Sequence, residues 1–286
     1  MRRLIRGRGS PNSFMMKKKS NVQFYIGLGI LGTLGLFMLL GLLYHPYDST
    51  QIDTAAKLAA PDFKHWFGGD KFGRDIFTRV QEGLRTSVLI AFLSTLIGTV
   101  GGTVIGALTG FYGKWIDEAV MRVIDVLFAI PSILLALVFV SLSGSSMFNV
   151  VAALGIAVIP SFAKMMRTEF KEQRSLEYVQ AAKLMGASDL RILFVHILPN
   201  VMPTLINCMF ISFNNCVLAE AGLSYLGIGV QPPQASLGGM ISEGQAYLKA
   251  APFYVFFPGF VMVLLLIGLG LISDGNAWTF VIRKKK

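Results

Sequence analysis

Hydrophobic residues run in long stretches that no charged residue interrupts, and short polar segments separate them. An α-helix needs about 20 such residues to cross the hydrocarbon core of a bilayer. Stretches free of Asp, Glu, Lys and Arg cover residues 22–44, 86–113, 126–163, 192–219 and 250–273. The third is long enough for parts of two helices, with a break at 143–146. The pattern predicts an all-α membrane protein with six transmembrane helices, at 22–44, 88–111, 120–142, 148–166, 200–219 and 252–272.

Positive charges are distributed unevenly between the two sides of the predicted membrane. With the amino terminus inside, 19 of the 26 lysine and arginine residues fall on the cytoplasmic side. Positively charged segments next to transmembrane helices stay cytoplasmic, so we expect both termini inside a cell membrane. The net charge of +10 is then explained by orientation and by attraction to anionic membrane lipid, and we expect no nucleic-acid partner.

Orientation and hydropathy together divide the chain into five predicted segments. The first apolar stretch is too long for the core of a signal peptide and no cleavage pattern follows it, so we expect an uncleaved helix. The segments are a basic cytoplasmic segment at 1–21, a first transmembrane helix at 22–44, an extracytoplasmic segment at 45–85, a transmembrane core at 86–273 that contains a polar loop at 167–199, and a basic cytoplasmic tail at 274–286.

The extracytoplasmic segment ends in an amphipathic pattern, GRDIFTRVQEGLRTS. Its apolar residues share one helical face, which is typical of a helix at the membrane interface. The pattern fits equally well an ordinary solvated helix in which Asp75 and Arg79 form a weak ion pair.

Glycine recurs every four residues in the second predicted transmembrane helix, at Gly98, Gly102, Gly106 and Gly110. Four-residue spacing puts these positions on one face, where the absence of side chains lets another backbone approach closely. Glycine is unfavourable in a helix unless packing requires it, so we expect this face to contact protein and not lipid.

The fifth predicted transmembrane helix carries three asparagines, Asn207, Asn214 and Asn215. An unsatisfied amide in hydrocarbon costs several kcal/mol, so these side chains should face protein or a wet cavity. Asn207 and Asn214 are seven residues apart and share a face. The three are therefore candidates for a translocation path, and interhelical hydrogen bonding explains them equally well.

Common catalytic and metal-binding motifs are absent from the sequence. There is no phosphate-binding loop of the Gly-x-x-x-x-Gly-Lys-Ser/Thr type, so we do not expect this chain to bind ATP by that device. No zinc-protease or serine-hydrolase motif occurs, and the three histidines lack partners at metal-ligand spacing. We therefore predict no catalytic residues and no metal site. The middles of the predicted helices also lack acidic residues and histidine, which favours an external energy source over ion coupling.

The cytoplasmic loop contains a short helical pattern. Leu176, Val179 and Ala182 form an apolar face about two turns long, and a helix this short is marginal alone. We expect it to dock on another surface, with Gly186 permitting a bend and Ser188 or Asp189 capping a second short helix. Leu198 and Pro199 mark the return to the membrane, because proline is tolerated in the first turn of a helix.

Several motifs in this order resemble the permeases of binding-protein-dependent ABC transporters, specifically the second, C-type permease subunit of the dipeptide/oligopeptide/nickel group. They are GGDKFGRDIFTRV, RVIDVLFAIPSILLAL, EYVQAAKLMGASDLRI, HILPN and AEAGLSYLGIGVQPPQASLGGM. The resemblance implies a type I ABC importer fold in which the cytoplasmic loop is a coupling helix that fits a cleft of the ATPase subunit. It implies transmission contacts at Glu177, Gln180, Ala181, Ala182, Gly186, Leu198 and Pro199.

The resemblance also implies partners. They are a second, homologous permease subunit, two ATPase subunits that carry ATP and Mg²⁺, and an extracytoplasmic substrate-binding protein. The implied function is import of peptides or related small solutes, and nickel or a metal–metallophore complex is the alternative cargo. A stand-alone secondary transporter or channel would predict buried ionisable residues and inverted repeats, which the sequence lacks. A membrane-embedded enzyme and a pure assembly scaffold are further alternatives.

The sequence departs from the family pattern at a few positions. Gln180 stands where the family usually has glutamate, so an ion pair there becomes a neutral hydrogen bond. Gly69, Leu237 and Gly239 replace a usual threonine, tryptophan and asparagine. The tail from 274 onward no longer follows the family, and no role is transferred to it.

Overall fold

The computed structural model describes residues 11–44 and 47–283, with side chains in 22–44 and 47–274. Within those residues the structure is helical, and the one β pairing is an isolated bridge between Gly69 and Asp75. The helices are α1 (Pro11–Leu43), α2 (Ile76–Tyr112), α3 (Lys114–Ala129), α4 (Ser132–Ser143), α5 (Met147–Arg174), α6 (Glu177–Leu184), α7 (Asp189–Arg191), α8 (Leu198–Tyr225), α9 (Leu237–Gln245) and α10 (Phe253–Arg283). A 3₁₀ turn at Thr54–Ala56 precedes α2, and a π-helical segment at Ile192–Ile197 joins α7 to α8.

Five helical segments in the described part of the chain are long and apolar enough to cross a membrane. They are Val22–Leu43, Ile76–Tyr112, Met147–Arg174, Asp189–Tyr225 and Phe253–Asp274. The pair α3 and α4 passes the same test together, which gives six crossings if the pair is one span. The all-α membrane fold is confirmed.

The span predicted at 120–142 is divided between two helices, α3 and α4. The chain bends by 88° between α3 and α4. Pro131 disfavours helical geometry in the residue before it, and Ile130 accordingly adopts an extended conformation with φ −87° and ψ 129°. The predicted break at 143–146 coincides with the gap between α4 and α5.

The helices at the two ends of the chain extend past the predicted segment boundaries. α1 begins at Pro11 and not near residue 22, and α10 continues through Arg283. The predicted segment boundaries at 21/22 and 273/274 therefore fall inside helices. The remainder of the predicted basic segment, 1–10, and the last residues of the predicted tail, 284–286, lie outside the described residues.

α2 is one continuous helix of 37 residues, about 55 Å long. It begins after Asp75, whose carboxylate caps the helix by accepting a hydrogen bond from the Thr78 amide at 2.8 Å. The amphipathic segment is thus the first part of α2, with Ile76 and Val80 fully buried. Arg79 is also buried, at 2% exposure, which excludes the alternative of a solvated helix with an exposed Asp75–Arg79 pair.

The four glycines of α2 lie against α5. A Cβ at Gly102 would be 2.3 Å from Cβ of Phe162 and 2.9 Å from the Ile159 carbonyl oxygen. A Cβ at Gly106 would be 2.7 Å from the Arg167 amide nitrogen. A Cβ at Gly98 would contact the Val158 side chain. A Cβ at Gly110 would contact the Arg167 carbonyl oxygen and Cβ of Phe170. The two backbones approach closely along the whole stripe, as small residues at a membrane-helix interface allow.

Candidate functional site

The loop between α5 and α8, residues 175–197, lies at the C-terminal ends of α2 and α5. On α6, Val179 and Ala182 are buried, at 1% and 3% exposure, in a cluster that contains Phe111 and Ile192. The apolar face that was expected to dock on another surface therefore packs on this chain itself. Leu176, at the N-terminus of α6, remains exposed.

Gly186 ends α6 with a left-handed backbone conformation, φ +81°. Its amide donates to the Lys183 carbonyl oxygen, and the Ala187 amide reaches back to the Ala182 carbonyl oxygen. This pattern terminates a helix and is most easily adopted by glycine. A Cβ at Gly186 would meet no atom within 4 Å, so backbone conformation, not space, requires glycine here.

The surface of this loop includes several large exposed apolar side chains. Leu184 and Met185 are 91% and 82% exposed, and Leu190, Phe194 and Val195 are exposed near them. Exposed apolar patches of this kind mark interaction sites. The sequence analysis missed these residues, and the signal that could have found them is a Leu-Met pair beside the turn glycine and off the buried face of α6.

Two side chains tie α6 to the transmembrane helices. Gln180 Nε2 donates a hydrogen bond of 3.1 Å to the carbonyl oxygen of Arg174, the last residue of α5. The Tyr178 hydroxyl donates to Gln173 Oε1 at 2.7 Å and accepts from Asn200 of α8 at 3.3 Å. Burial raises the pKa of Tyr178, so its hydroxyl stays protonated at neutral pH. A movement of α6 is thereby linked to both α5 and α8.

The remaining transmission candidates occupy different surroundings. Glu177, Gln180 and Ala181 are on the exposed side of α6. Ala182 is buried beneath them. Leu198 packs against the same apolar cluster as Val179, and Pro199 is exposed in the first turn of α8.

The three asparagines of α8 do not form one strip. Asn207 Oδ1 accepts a hydrogen bond of 3.4 Å from Ser273 of α10. Asn214 Oδ1 is buried and has no partner among the described residues. Asn215 lines a cavity of about 200 Å³ between α4, α5 and α8, together with Ser132, Ser161 and Ser212. The rest of its lining is apolar, and none of its lining side chains is charged.

The opposite end of the helices is held by buried charges. Asp70 is fully buried, and its carboxylate lies 2.5 Å from Arg74 Nε and 3.6 Å from Arg79 Nε. Arg74 also reaches Glu243 of α9 at 3.3 Å. The extended segment before α2 is thus fastened to α2 and α9.

Glu220 near the end of α8 is a further buried acid, with no exposed surface. Its carboxylate accepts hydrogen bonds from Ser87 of α2 at 2.6 Å and from Ser224 at 2.7 Å. The bond from Ser87 joins α8 to α2. The predicted helix at 200–219 ends one residue before Glu220, and sequence reasoning missed this role.

Within the described residues, no three His, Cys, Asp or Glu side chains lie together as a metal site requires. A sequence profile for the inner membrane component of binding-protein-dependent transport systems matches residues 102–277, which hold the last part of α2, every element from α3 to α9 and most of α10. The chain belongs to this family. The resemblance stated from the motifs is confirmed, and the protein is a permease subunit of an ABC importer in the inner membrane.

Relatives align over most of the permease. The dipeptide transport system permease protein DppC of Alkalihalophilus pseudofirmus is 36% identical, covering 90% of this chain and 84% of the relative. The glutathione transport system permease protein GsiD of Pectobacterium atrosepticum is 38% identical, covering 80% of this chain and 77% of the relative. Family membership implies that ATPase and substrate-binding-protein partners serve the permease.

Among solved structures, the permease resembles the MetNI methionine ABC transporter in inward facing conformations. The TM-score is 0.56 at 20% sequence identity, covering 71% of this chain and 94% of that chain. At this identity the likeness supports the fold alone.

Proposed function

We propose that this permease subunit imports peptides or related small solutes. Its relatives DppC and GsiD are named for dipeptide and glutathione transport, and the two solutes share amide groups. A cavity lined by Asn215 and three serines offers amide and hydroxyl partners to such a solute. Nickel or a metal–metallophore complex as cargo receives no support from these relatives, and a stand-alone channel or secondary transporter does not fit the family.

The translocation path in this proposal passes the cavity at Asn215. Asn214 contributes through its unpartnered carbonyl oxygen, and Asn207 contributes by setting the distance between α8 and α10. Backbone from the neighbouring helices completes the lining.

The observation that carries the coupling mechanism is the exposed apolar end of α6. Leu184 and Met185 project beside the rigid turn at Gly186, and Ala181 leaves room for a close approach. We infer that this end enters a cleft on an ATPase subunit, which binds ATP and Mg²⁺. Closure of the cleft moves α6, and the bonds of Gln180 and Tyr178 pass that movement to α5 and α8.

The assembly in this proposal has four further protein components. They are a second, homologous permease subunit, two ATPase subunits and an extracytoplasmic substrate-binding protein. Membrane lipid surrounds the helices, and both termini are cytoplasmic because most positive charge then lies inside.

The coupling proposal is tested by replacing Leu184 and Met185 with serine in the reconstituted transporter. Full burial of each side chain in a cleft is worth about 1.5–3 kcal/mol, so ATPase association should weaken by roughly a hundredfold or more. Uptake of a labelled dipeptide should fall with it. Phe63→Ser is the matched control, because Phe63 is an exposed apolar residue in the extracytoplasmic segment. Equal association and uptake in the two variants would refute the coupling role.

Substrate class is tested in the same preparation with the cognate binding protein present. We expect uptake of labelled dipeptide. Excess unlabelled dipeptide should abolish this uptake, and excess nickel should leave it unchanged. Nickel-dependent transport without dipeptide transport would overturn the peptide assignment.

A further inference from the structure

A cavity of about 550 Å³ lies where the C-terminal end of α1 meets the first turns of α2. Met38 and Gly41 of α1 form one wall, and Gln81, Glu82 and Arg85 of α2 form the other. The segment at 47–51 covers the end of the cavity away from the middle of α1. None of these residues takes part in the coupling or the translocation path described above.

Two residues that line this cavity each carry a buried acceptor atom that has no donor among the described residues. Gln81 is only 5% exposed, and its Nε2 donates to the Phe37 carbonyl oxygen at 3.3 Å. Its Oε1 has no partner among the described residues, and neither does the buried Oε2 of Glu82. Buried acceptors without donors are unfavourable, so the arrangement favours a ligand that donates hydrogen bonds.

Gly41 shapes this site. A Cβ at Gly41 would lie 2.9 Å from Cβ and Cδ of Gln81. The glycine therefore lets the main chain of α1 pass directly against the Gln81 side chain. A larger residue would displace Gln81 and change the wall of the cavity.

Arg85 supplies the opposite charge at the same cavity. It is exposed, and within the described part of the chain neither Arg85 nor Glu82 forms an ion pair. The cavity lining thus carries the Glu82 carboxylate and the Arg85 cation about one helical turn apart. A second carboxylate, Asp48, also lines the cavity and accepts hydrogen bonds from the Thr50 amide and hydroxyl. A zwitterionic ligand matches this arrangement.

An apolar groove of about 200 Å³ continues from this cavity along α1 and α2. Leu31, Leu34 and Met38 of α1 and Leu84 and Val88 of α2 line it. Side chains of α8 and α10, namely Phe213, Leu265 and Leu269, complete the lining. Met38 borders both spaces, and Leu84 follows Gln81 by one turn of α2. A polar compartment therefore sits at the end of an apolar one, next to the membrane-exposed surface of α1.

We propose that this site holds one phospholipid whose headgroup carries a primary ammonium, as in phosphatidylethanolamine. The ammonium donates hydrogen bonds to Gln81 Oε1 and Glu82 Oε2, the phosphate pairs with Arg85, and one acyl chain occupies the groove between α1 and α2. A choline headgroup has no N–H to donate, and a glycerol headgroup brings no positive charge to Glu82. The lipid fastens α1 to the start of α2.

The test compares lipids of identical acyl chains bound to the purified transporter with its partner subunits. After delipidation, the complex is titrated with dioleoyl phosphatidylethanolamine, phosphatidylcholine or phosphatidylglycerol, and bound lipid is measured by native mass spectrometry. We expect the ethanolamine lipid to bind about tenfold more tightly than the choline lipid, as charge-assisted hydrogen bonds imply. This comparison needs no variant.

A double variant, Glu82→Gln with Arg85→Gln, leaves the net charge unchanged and should abolish the preference. The matched control is Glu118→Gln with Arg122→Gln, an exposed ion pair on α3, which should keep it. Equal binding of ethanolamine and choline lipids, or a preference that survives in the double variant, overturns the proposal. So does a photoreactive group at Leu42, which lines the cavity, that cross-links to a protein chain and not to lipid, because the partner permease then fills the cavity.

Discussion

Adding a methyl group at Gly102 tests whether the close approach of α2 and α5 holds the permease together. The new Cβ of Gly102→Ala would lie 2.3 Å from Cβ of Phe162, about 1 Å closer than an ordinary carbon–carbon contact. The backbone amide of Ala163 and the carbonyl oxygen of Ile159 lie at 2.9 Å, so a change of rotamer cannot relieve the overlap. The helices must move apart.

The expected destabilisation follows from two opposing effects. Overpacking of this kind costs up to about 3 kcal/mol. Alanine stabilises a helix by about 1 kcal/mol relative to glycine, which leaves a net loss of about 2 kcal/mol. For a chain of this size the midpoint of thermal unfolding should fall by about 3 °C.

The matched control is Gly32→Ala in α1, where a Cβ would meet no atom within 4 Å. That variant gains helix propensity without an overlap, so its midpoint should stay equal or rise slightly. The assay is a thermal unfolding scan of both variants in the same detergent and lipid. If Gly102→Ala unfolds at or above the midpoint of Gly32→Ala, the reasoning about the glycine stripe is wrong.

Three further changes test the polar contacts. Gln180→Glu removes the donor to the Arg174 carbonyl oxygen and places a negative charge at the C-terminus of α5, which should cost about 1–2 kcal/mol. Hydrogen exchange of the α6 amides should accelerate about tenfold, and unchanged exchange would contradict this. Asp70→Ala leaves buried arginine charge uncompensated and should cost about 3–5 kcal/mol in a thermal unfolding scan, where an unaltered midpoint would show that the network is dispensable. Glu220→Leu leaves the buried hydroxyls of Ser87 and Ser224 without an acceptor and should destabilise the fold by about 1–3 kcal/mol for each hydroxyl, whereas Glu220→Gln keeps an acceptor. Equal unfolding midpoints for the two variants would argue against these hydrogen bonds.

Hydropathy located the transmembrane helices but could not identify the bend at Pro131. Pro160, Pro203 and Pro258 lie inside α5, α8 and α10, which continue as helices through them. A membrane helix either continues through a proline or breaks at it. The outcome depends on whether neighbouring groups satisfy the carbonyl oxygens that the proline leaves without a donor. That depends on tertiary contacts, which a single sequence does not display.

Periodicity identified the apolar side of α6 but not what that side contacts. Val179 and Ala182 have the spacing of a buried face whether they pack on this chain or on another protein. The same limit applies to Arg79, because its partner Asp70 is nine residues upstream and outside any helical repeat. Spacing predicts which residues share a face, and only the fold shows which surface that face meets.

The bend between α3 and α4 has a consequence for how the permease is embedded. Lipid tails offer nothing to main-chain donors and acceptors, and the corner at Ile130 and Pro131 is exposed in this chain. That corner is therefore unsuited to bare contact with the bilayer interior. Solvent, or the polar groups of a neighbouring subunit, has to occupy the space beside this corner. In an isolated copy of the chain, the side that carries α3 and α4 would therefore be the side least compatible with direct contact with lipid.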